Sequence, residues 1–333
     1  MEQQNRIGEL VKMSEEQNKK ELEEKAKTIM ERMSEIIANA KGEEDKKAFD
    51  KPIDVTANAL IIKPSTDPKT EKKLYGFVTH TFLDTMFLNS EGKTIELPIC
   101  SNTILSGLPS SGKSLFIEEV ALQVASSGKK VCFVTSEEVW RTENGRFDIE
   151  ARLKERAKLL GLNWLKISEN LYILDTVTFA ELRYFDSFIG AYRHLVEKEH
   201  IELSLIDSIT MLEDSRGMVK YRLGTLAKYN QTHNVTSIMV SQRATDDSDS
   251  MSLSGGLALS HIVDILAELD YKKLSSWDKS IKDDTGIAQG QTAYFFRIMK
   301  CRLCRFKANY FAYEITKDGL VRFTEKDNPD RKV

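Results

Sequence analysis

The sequence has few cysteines, no long apolar run and no strong excess of either charge. Its 333 residues include four cysteines, too few to suggest the disulfide framework of a small secreted domain. No run is long enough to span a bilayer and no apolar segment at the N-terminus resembles a signal peptide, so we expect an intracellular, cytoplasmic protein without a membrane partner. The net charge of −3 implies that any nucleic-acid site must be local. Hydrophobic content of 41% and charged content of 30% are typical of a globular chain with a core.

The cysteine spacing gives weak support for a metal site. Cys301 and Cys304 form a C-x-x-C pattern, but the surrounding residues predict a strand. Residues three apart on a strand face opposite sides, so these two thiols are not expected to share a metal ion. Cys100 and Cys132 do not form a second ligand pair, and we therefore do not expect a zinc site.

One stretch fits the phosphate-binding loop pattern G-x-x-x-x-G-K-[ST] and consists of Gly107, Leu108, Pro109, Ser110, Ser111, Gly112, Lys113 and Ser114. A short strand is predicted over 103–106, and apolar residues at helical spacing follow the stretch. The glycines permit a tight turn whose amides face phosphate oxygens, at the positive end of the next helix. Lys113 is placed to reach the β and γ phosphates, and the Ser114 hydroxyl to bind Mg²⁺. The stretch predicts that the chain binds a nucleoside triphosphate.

The first 50 residues differ in composition from the rest and are predicted to form a charged helical extension. Residues 1–47 are rich in Glu, Lys, Gln and Asn, and their apolar side chains recur at intervals of three and four between Leu22 and Ile37. Such a helix is not stable on propensity alone. It docks on the core, pairs with another copy, binds a protein partner or remains a solvated tail, and the sequence leaves these alternatives open. Residues 51–333 are predicted to form the main domain.

From residue 103 onward, predicted strands alternate with predicted helices. Continuous apolar runs of this kind are typical of parallel strands buried on both faces. The strands are predicted over 131–135, 171–174, 203–206 and 236–240, with helices over 149–160, 179–198 and 219–230. Consecutive strands follow over 265–271, 293–300 and 309–315. The pattern predicts an α/β domain whose mostly parallel sheet carries an antiparallel C-terminal edge.

Polar side chains stand at the ends of three predicted strands. Asp207 ends the strand 203–206, and a carboxylate there suits Mg²⁺ together with Ser114. Glu137 and Glu138 follow the strand 131–135, and one of them is suited to deprotonate an attacking water. Gln242 follows the strand 236–240, where its amide is suited to donate to a phosphate oxygen. In an open parallel sheet these strand ends lie at the edge where ligands bind.

The order of these motifs resembles the RecA/RadA/KaiC class of P-loop ATPases. The likeness rests on the phosphate loop, Thr-Ser-Glu-Glu at 135–138, Ile-Asp-Ser at 206–208, Val-Ser-Gln at 240–242 and the stretch 254–264. Similarity to the bacterial RadA (Sms) type extends through Arg-Ile-Met-Lys-Cys-Arg at 297–302. The resemblance implies a three-layer RecA-like core that uses ATP and Mg²⁺ and assembles as a homo-oligomer, either a ring or a filament. It also implies action on single-stranded DNA in homologous recombination or repair.

The resemblance also implies roles for individual residues. Glu137 matches the glutamate that activates water in this class, Asp207 the aspartate associated with Mg²⁺, and Gln242 the sensor of the γ phosphate. Lys300 and Arg302 resemble finger residues that such proteins insert into the site of a neighbouring subunit. A cation supplied in this way would stabilise charge that develops on the γ phosphoryl group.

The chain departs from the RadA pattern where that class contacts DNA. The loop after Gln242 contains Asp246, Asp247 and Asp249, which would repel phosphate. The segment after Asp207 is more favourable, since it offers the basic residues Arg216, Lys220 and Arg222, but it also contains Glu213 and Asp214. Two alternatives therefore stay open beside a DNA recombinase: a KaiC-like regulatory ATPase that works through protein partners, and a ring helicase or translocase.

Overall fold

The computed structural model describes residues 76–142, 148–209, 218–242 and 261–324. All of the described residues belong to one compact unit. The predicted N-terminal helix, the predicted boundary after residue 50 and the acidic loop after Gln242 lie outside these ranges. Within them, no helix is both long enough and apolar enough to cross a membrane.

The strands are numbered here in chain order. They are β1 (Gly76–Phe77), β2 (Phe87–Leu88), β3 (Thr94–Ile95), β4 (Leu97–Pro98), β5 (Asn102–Gly107), β6 (Val131–Thr135), β7 (Leu171–Asp175), β8 (Leu203–Asp207), β9 (Thr236–Gln242), β10 (Ile265–Lys273), β11 (Thr292–Cys301), β12 (Arg305–Phe306), β13 (Phe311–Ile315) and β14 (Val321–Phe323).

The α-helices of the described residues are α1 (Lys113–Ser127), α2 (Ile149–Leu159), α3 (Trp164–Asn170), α4 (Phe185–Glu199), α5 (Met218–Thr232) and α6 (Lys279–Thr285). Helix α1 is followed by Gly128, which takes the left-handed conformation that terminates many helices. Helix α2 is preceded by Asp148, whose carboxylate accepts a hydrogen bond from the Ala151 amide at 2.8 Å and so caps the first turn.

Nine of these strands form one sheet in the order β14-β13-β11-β10-β5-β9-β8-β6-β7. The six strands from β10 to β7 run parallel to their neighbours, and β11, β13 and β14 are added antiparallel beside β10. The predicted parallel sheet with an antiparallel C-terminal edge is confirmed. Because β5, β6, β8 and β9 are all parallel, their carboxyl ends meet at one edge of the sheet.

Helices cover both faces of this sheet, as the alternation of its buried residues shows. In β6, Phe133 packs into the core that contains α1, while Cys132 and Val134 pack into a second core with α4 and α5. All five residues of β6 are buried, which explains why the strand is a continuous apolar run rather than an alternating one. The predicted three-layer α/β architecture is thereby confirmed.

The prediction of one continuous helix over 179–198 is wrong. The structure has a 3₁₀ turn at Ala180–Arg183, an extended residue at Tyr184, and then α4. The guanidinium group of Arg183 donates hydrogen bonds to the carbonyls of Thr176 and Val177, each at 3.3 Å. These bonds hold the 3₁₀ turn against the loop that follows β7. The backbone therefore extends again at Tyr184 before α4 begins.

Candidate nucleotide site

The predicted phosphate loop lies between β5 and α1, at the carboxyl edge of the sheet. A Cβ atom at Gly107 would lie 2.0 Å from the carbonyl oxygen of Leu269, so a larger residue would displace backbone. Gly112 has a φ of +93° and stands directly before the helix, a conformation that glycine adopts without strain. The two glycines therefore occupy positions where the backbone conformation and the close packing require them.

The ammonium group of Lys113 folds back over the loop. Its Nζ donates to the Leu108 carbonyl at 2.6 Å and to Ser111 Oγ at 3.3 Å, and the residue is only 5% exposed. A buried cation above a loop at the positive end of a helix is a site where an anion is stabilised. The loop thus fits the phosphate groups of a nucleotide.

Two residues that the sequence analysis did not single out brace this loop from the C-terminal strands. Asp270 of β10 accepts a hydrogen bond from the Leu108 amide at 3.1 Å. Tyr313 of β13 donates its hydroxyl to the Ser111 carbonyl. Asp270 left only a weak signal in the sequence, since Glu268 is a second acidic residue of the same strand. The Tyr313 contact left none.

Asp207 and Ser114 meet at the start of α1. The pKa of the Asp207 carboxyl group is raised to about 6, first by burial and then by three nearby carboxylates, namely Glu137, Glu118 and Glu138, while a hydrogen bond from Ser114 opposes the shift. A concentration of negative charge beside a hydroxyl group is an environment that a divalent cation relieves. The oxygen donors present here therefore fit Mg²⁺.

Glu137 joins the ends of three strands. Its Oε1 accepts a hydrogen bond from Ser208 Oγ at 2.8 Å, and Gln242 Nε2 lies 3.2 Å from Oε1 and 3.3 Å from Oε2. Ser208 was not singled out as a site residue, although it follows Asp207 directly in the quoted motif. The structure thus holds the Glu137 carboxylate between Gln242, which precedes the acidic loop, and Ser208, which follows Asp207.

Glu138 forms an ion pair outside this cluster. Its Oε2 accepts from Arg152 Nη1 of α2 at 2.8 Å, and Arg152 also binds Glu118 of α1 at 2.6 Å. Glu118 is 1% exposed and pairs with Arg156 as well, so the network links α1 to α2. Of the two adjacent acids, Glu138 belongs to this helix-bridging ion-pair network and Glu137 to the polar cluster at the strand ends.

Lys300 and Arg302 are not brought to the phosphate loop of their own chain. Lys300 pairs with Leu266 of β10, which lies level with Ile104 near the start of β5. At about 3.3 Å per residue and about 4.8 Å between strands, the Arg302 backbone is roughly 15–20 Å from Gly107. Lys300 Nζ donates to the Val263 carbonyl at 2.8 Å, and Arg302 binds the His261 carbonyl. Both side chains thus contact the segment before β10, at the opposite end of the sheet.

The expectation that Cys301 and Cys304 face opposite sides is wrong. Strand β11 ends at Cys301, and the chain bends before β12 begins at Arg305. Alternation applies only while a strand continues, and this bend brings the two Sγ atoms to 3.6 Å. The same bend places Arg302 just beyond the end of β11.

Comparison with known proteins agrees with this fold. A family model described as the KaiC ATPase matches residues 90–328. A KaiC-like protein from the hyperthermophilic archaeon Pyrococcus horikoshii has a crystal structure similar to this one, with a TM-score of 0.55 and 17% sequence identity over 76% of this chain and 100% of that chain. At that identity the likeness concerns the fold. No curated protein sequence matches significantly. The family match covers well over half of the chain, and the chain therefore belongs to the KaiC-type family of P-loop ATPases, within the RecA-like superfamily.

Proposed function

We propose that the protein binds ATP with Mg²⁺ at the loop 107–114 and hydrolyses it within a homo-oligomer. The observation that carries this proposal is the position of Glu137, held by Ser208 and Gln242 beside the residues suited to phosphate and Mg²⁺. The loop amides and Lys113 would bind the phosphates, and Ser114 and Asp207 would hold the metal ion. Mg²⁺, when bound, neutralises charge on the β and γ phosphates.

Two side chains of the protein, Glu137 and Gln242, then have separate roles in hydrolysis. The Glu137 carboxylate takes the proton of the attacking water, since its oxygens are held by neutral donors rather than by a cation. Gln242 has an amide that can turn from Glu137 to a phosphate oxygen, and it ends β9 directly before the predicted acidic loop. It is therefore suited to couple the state of the nucleotide to that loop.

The first test replaces the loop lysine. Lys113→Ala is expected to lower turnover by about 10²–10³-fold and to weaken ATP binding, because it removes a charged donor from a water-poor site. Lys154→Ala is the matched control, since Lys154 pairs with Glu150 at the surface of α2. ATP affinity, turnover and thermal melting are measured for both variants. A folded Lys113→Ala chain with wild-type affinity and turnover would refute the proposed nucleotide site.

For the output of hydrolysis, we propose action on single-stranded DNA in recombination or repair. The loops predicted after β8 and β9 follow Asp207 and Gln242 in the chain, so a DNA strand bound by them would be coupled to the nucleotide. We expect ATP turnover to rise with a single-stranded oligonucleotide and this stimulation to fall steeply between about 50 and 200 mM salt, because phosphate binding releases counterions. Turnover is measured with and without DNA across that range, with duplex DNA as the comparison.

A KaiC-like regulatory ATPase that acts through protein partners is the second candidate, and a specific observation favours it. Arg222 is 9% exposed and its guanidinium group lies 5.4 Å from the centre of the Phe185 ring, so it packs inward from α5. Arg222 is therefore less available to bind DNA phosphate. Fewer cations remain to offset the negative charge of the three aspartates that follow Gln242. Turnover that is indifferent to DNA at every salt concentration would reject the DNA proposal and support this candidate.

A further inference from the structure

The chain carries a close pair of thiols that the proposed ATPase chemistry does not use. Cys301 and Cys304 have their Sγ atoms 3.6 Å apart, whereas a disulfide bond is about 2.05 Å long. Both residues are half-buried and pack against the main core. The other two cysteines of the chain differ from this pair: Cys132 is fully buried, and Cys100 Sγ lies 3.7 Å from Asn234 Oδ1. Only a small movement of the bend at 302–303 would join Cys301 to Cys304.

The two thiols are chemically unequal. The Cys304 thiol donates to Cys301, and together with the amides of Leu303 and Cys304 it lowers the pKa of Cys301 to about 6, while burial and the Asp264 carboxylate oppose that shift. The same contact raises the pKa of Cys304. At neutral pH, Cys301 is therefore the thiolate and Cys304 the protonated partner. An attacking thiol beside a resolving thiol is the arrangement that dithiol exchange requires.

A structural metal ion is a poorer occupant for this pair. Closed zinc sites take four protein ligands. In the parts of the chain that the structure describes, no group of three or more His, Cys, Asp or Glu side chains is arranged to hold a metal ion. Two sulfur ligands at a half-exposed bend leave such a site incomplete.

We propose that Cys301 and Cys304 form a dithiol–disulfide exchange site whose substrates are small disulfides of the glutathione type. The Cys301 thiolate attacks one sulfur of the disulfide R–S–S–R, which forms a mixed disulfide and releases RS⁻. Cys304 loses its proton, attacks Cys301 Sγ and releases the second RS⁻. The protein is oxidised by two electrons and the small disulfide is reduced to two thiols, which take up the proton released by Cys304 and one proton from solvent.

A disulfide bond between Cys301 and Cys304 would form a covalent link between two sheets. Cys301 is the last residue of β11 in the nine-stranded sheet, and Cys304 directly precedes β12, which pairs with β2 in a three-stranded sheet ordered β12-β2-β3. Arg302 and Leu303 would be enclosed in the ring. The oxidation state of the pair would therefore fix the bend that positions Arg302.

The test uses the full-length wild-type chain with glutathione disulfide as the probe. Intact mass is expected to fall by two hydrogen atoms without a lasting glutathione adduct, and dithiothreitol should restore it. Trypsin cuts after Lys300, Arg302 and Arg305, so the oxidised chain should release two short peptides joined by the Cys301–Cys304 bond. A stable glutathione adduct in the wild-type chain, or no reaction at either residue, would overturn the proposal.

Single variants separate the two roles. Cys304→Ser is expected to stop at one glutathione adduct on Cys301. Cys301→Ser should react about two- to sixfold more slowly at pH 7. The wild-type Cys301 has a larger thiolate fraction because of its lower pKa, and its weaker intrinsic nucleophilicity offsets part of that advantage. Cys100→Ser serves as the matched control and should oxidise like the wild type. Equal reaction rates for Cys301→Ser and Cys304→Ser, in chains with wild-type melting, would show that the thiols do not act as a pair.

Discussion

Replacing Lys300 and Arg302 together by alanine is expected to lower ATP turnover by about 10³–10⁵-fold, the contribution of a cation supplied from a neighbouring subunit. The reason is geometric. Both residues lie at the end of the sheet opposite to the phosphate loop of their own chain, where they bind the carbonyls of Val263 and His261. If they act on a γ phosphoryl group at all, that group belongs to another copy.

Mixing two inactive variants tests the arrangement directly. Chains that carry Lys300→Ala and Arg302→Ala, combined with Glu137→Gln chains, should regain some turnover, because some mixed interfaces pair an intact glutamate with intact fingers. Turnover per wild-type chain should also rise with protein concentration as oligomers assemble.

Arg305→Ala is the matched control for charge, since Arg305 is an exposed cation three residues beyond Arg302. It should retain wild-type turnover. Sedimentation must show that the mixed variants assemble together. An inactive mixture in proven mixed oligomers, or turnover that is flat across assembly, would leave Lys300 and Arg302 as local contacts of one chain.

Glu137→Gln is expected to keep ATP bound with Mg²⁺ and to lose turnover by about 10²–10⁴-fold, the typical contribution of a general base. The amide retains the shape of the side chain but cannot accept the proton of water. The structure separates this residue from its neighbour, because Glu137 is held by Ser208 and Gln242 while Glu138 is bound to Arg152.

Glu138→Gln provides the comparison and should lose far less turnover. Its partner Arg152 keeps the pair with Glu118, so the effect should appear mainly as a small drop in thermal stability. Single-turnover kinetics and nucleotide affinity, measured for both variants, separate binding from chemistry. Should Glu138→Gln stall hydrolysis while Glu137→Gln does not, the assignment within the acidic pair is reversed.

The strand ends were predictable because their signals are local. Glu137, Asp207 and Gln242 each stand within about three residues of the end of an apolar run, and parallel strands bring such residues to one edge whatever the intervening helices do. The phosphate loop was predictable for the same reason, as its strand, glycines and helix are contiguous.

The contacts that complete the site were not predictable, because their partners are remote in sequence or depend on where an element ends. Asp270 meets Leu108 across 162 positions, and no spacing rule connects them. The thiols of Cys301 and Cys304 meet only because β11 stops at Cys301, and strand boundaries are the least certain part of a sequence pattern. Arg222 looked available to nucleic acid until α5 was found to turn it toward Phe185.

The bracing of the phosphate loop by β13 and β14 has a consequence for biosynthesis. Tyr313 binds the Ser111 carbonyl across 202 positions, and a Cβ at Gly112 would lie 3.1 Å from Ile315 Cδ1. A ribosome adding about 5–20 residues per second takes roughly 10–40 s to travel that far. For this interval the nascent chain has its loop but lacks the strands that hold it. The ability to hold a nucleotide firmly is therefore acquired late in translation, and a chain released before β13 would carry an intact motif in an unfinished site.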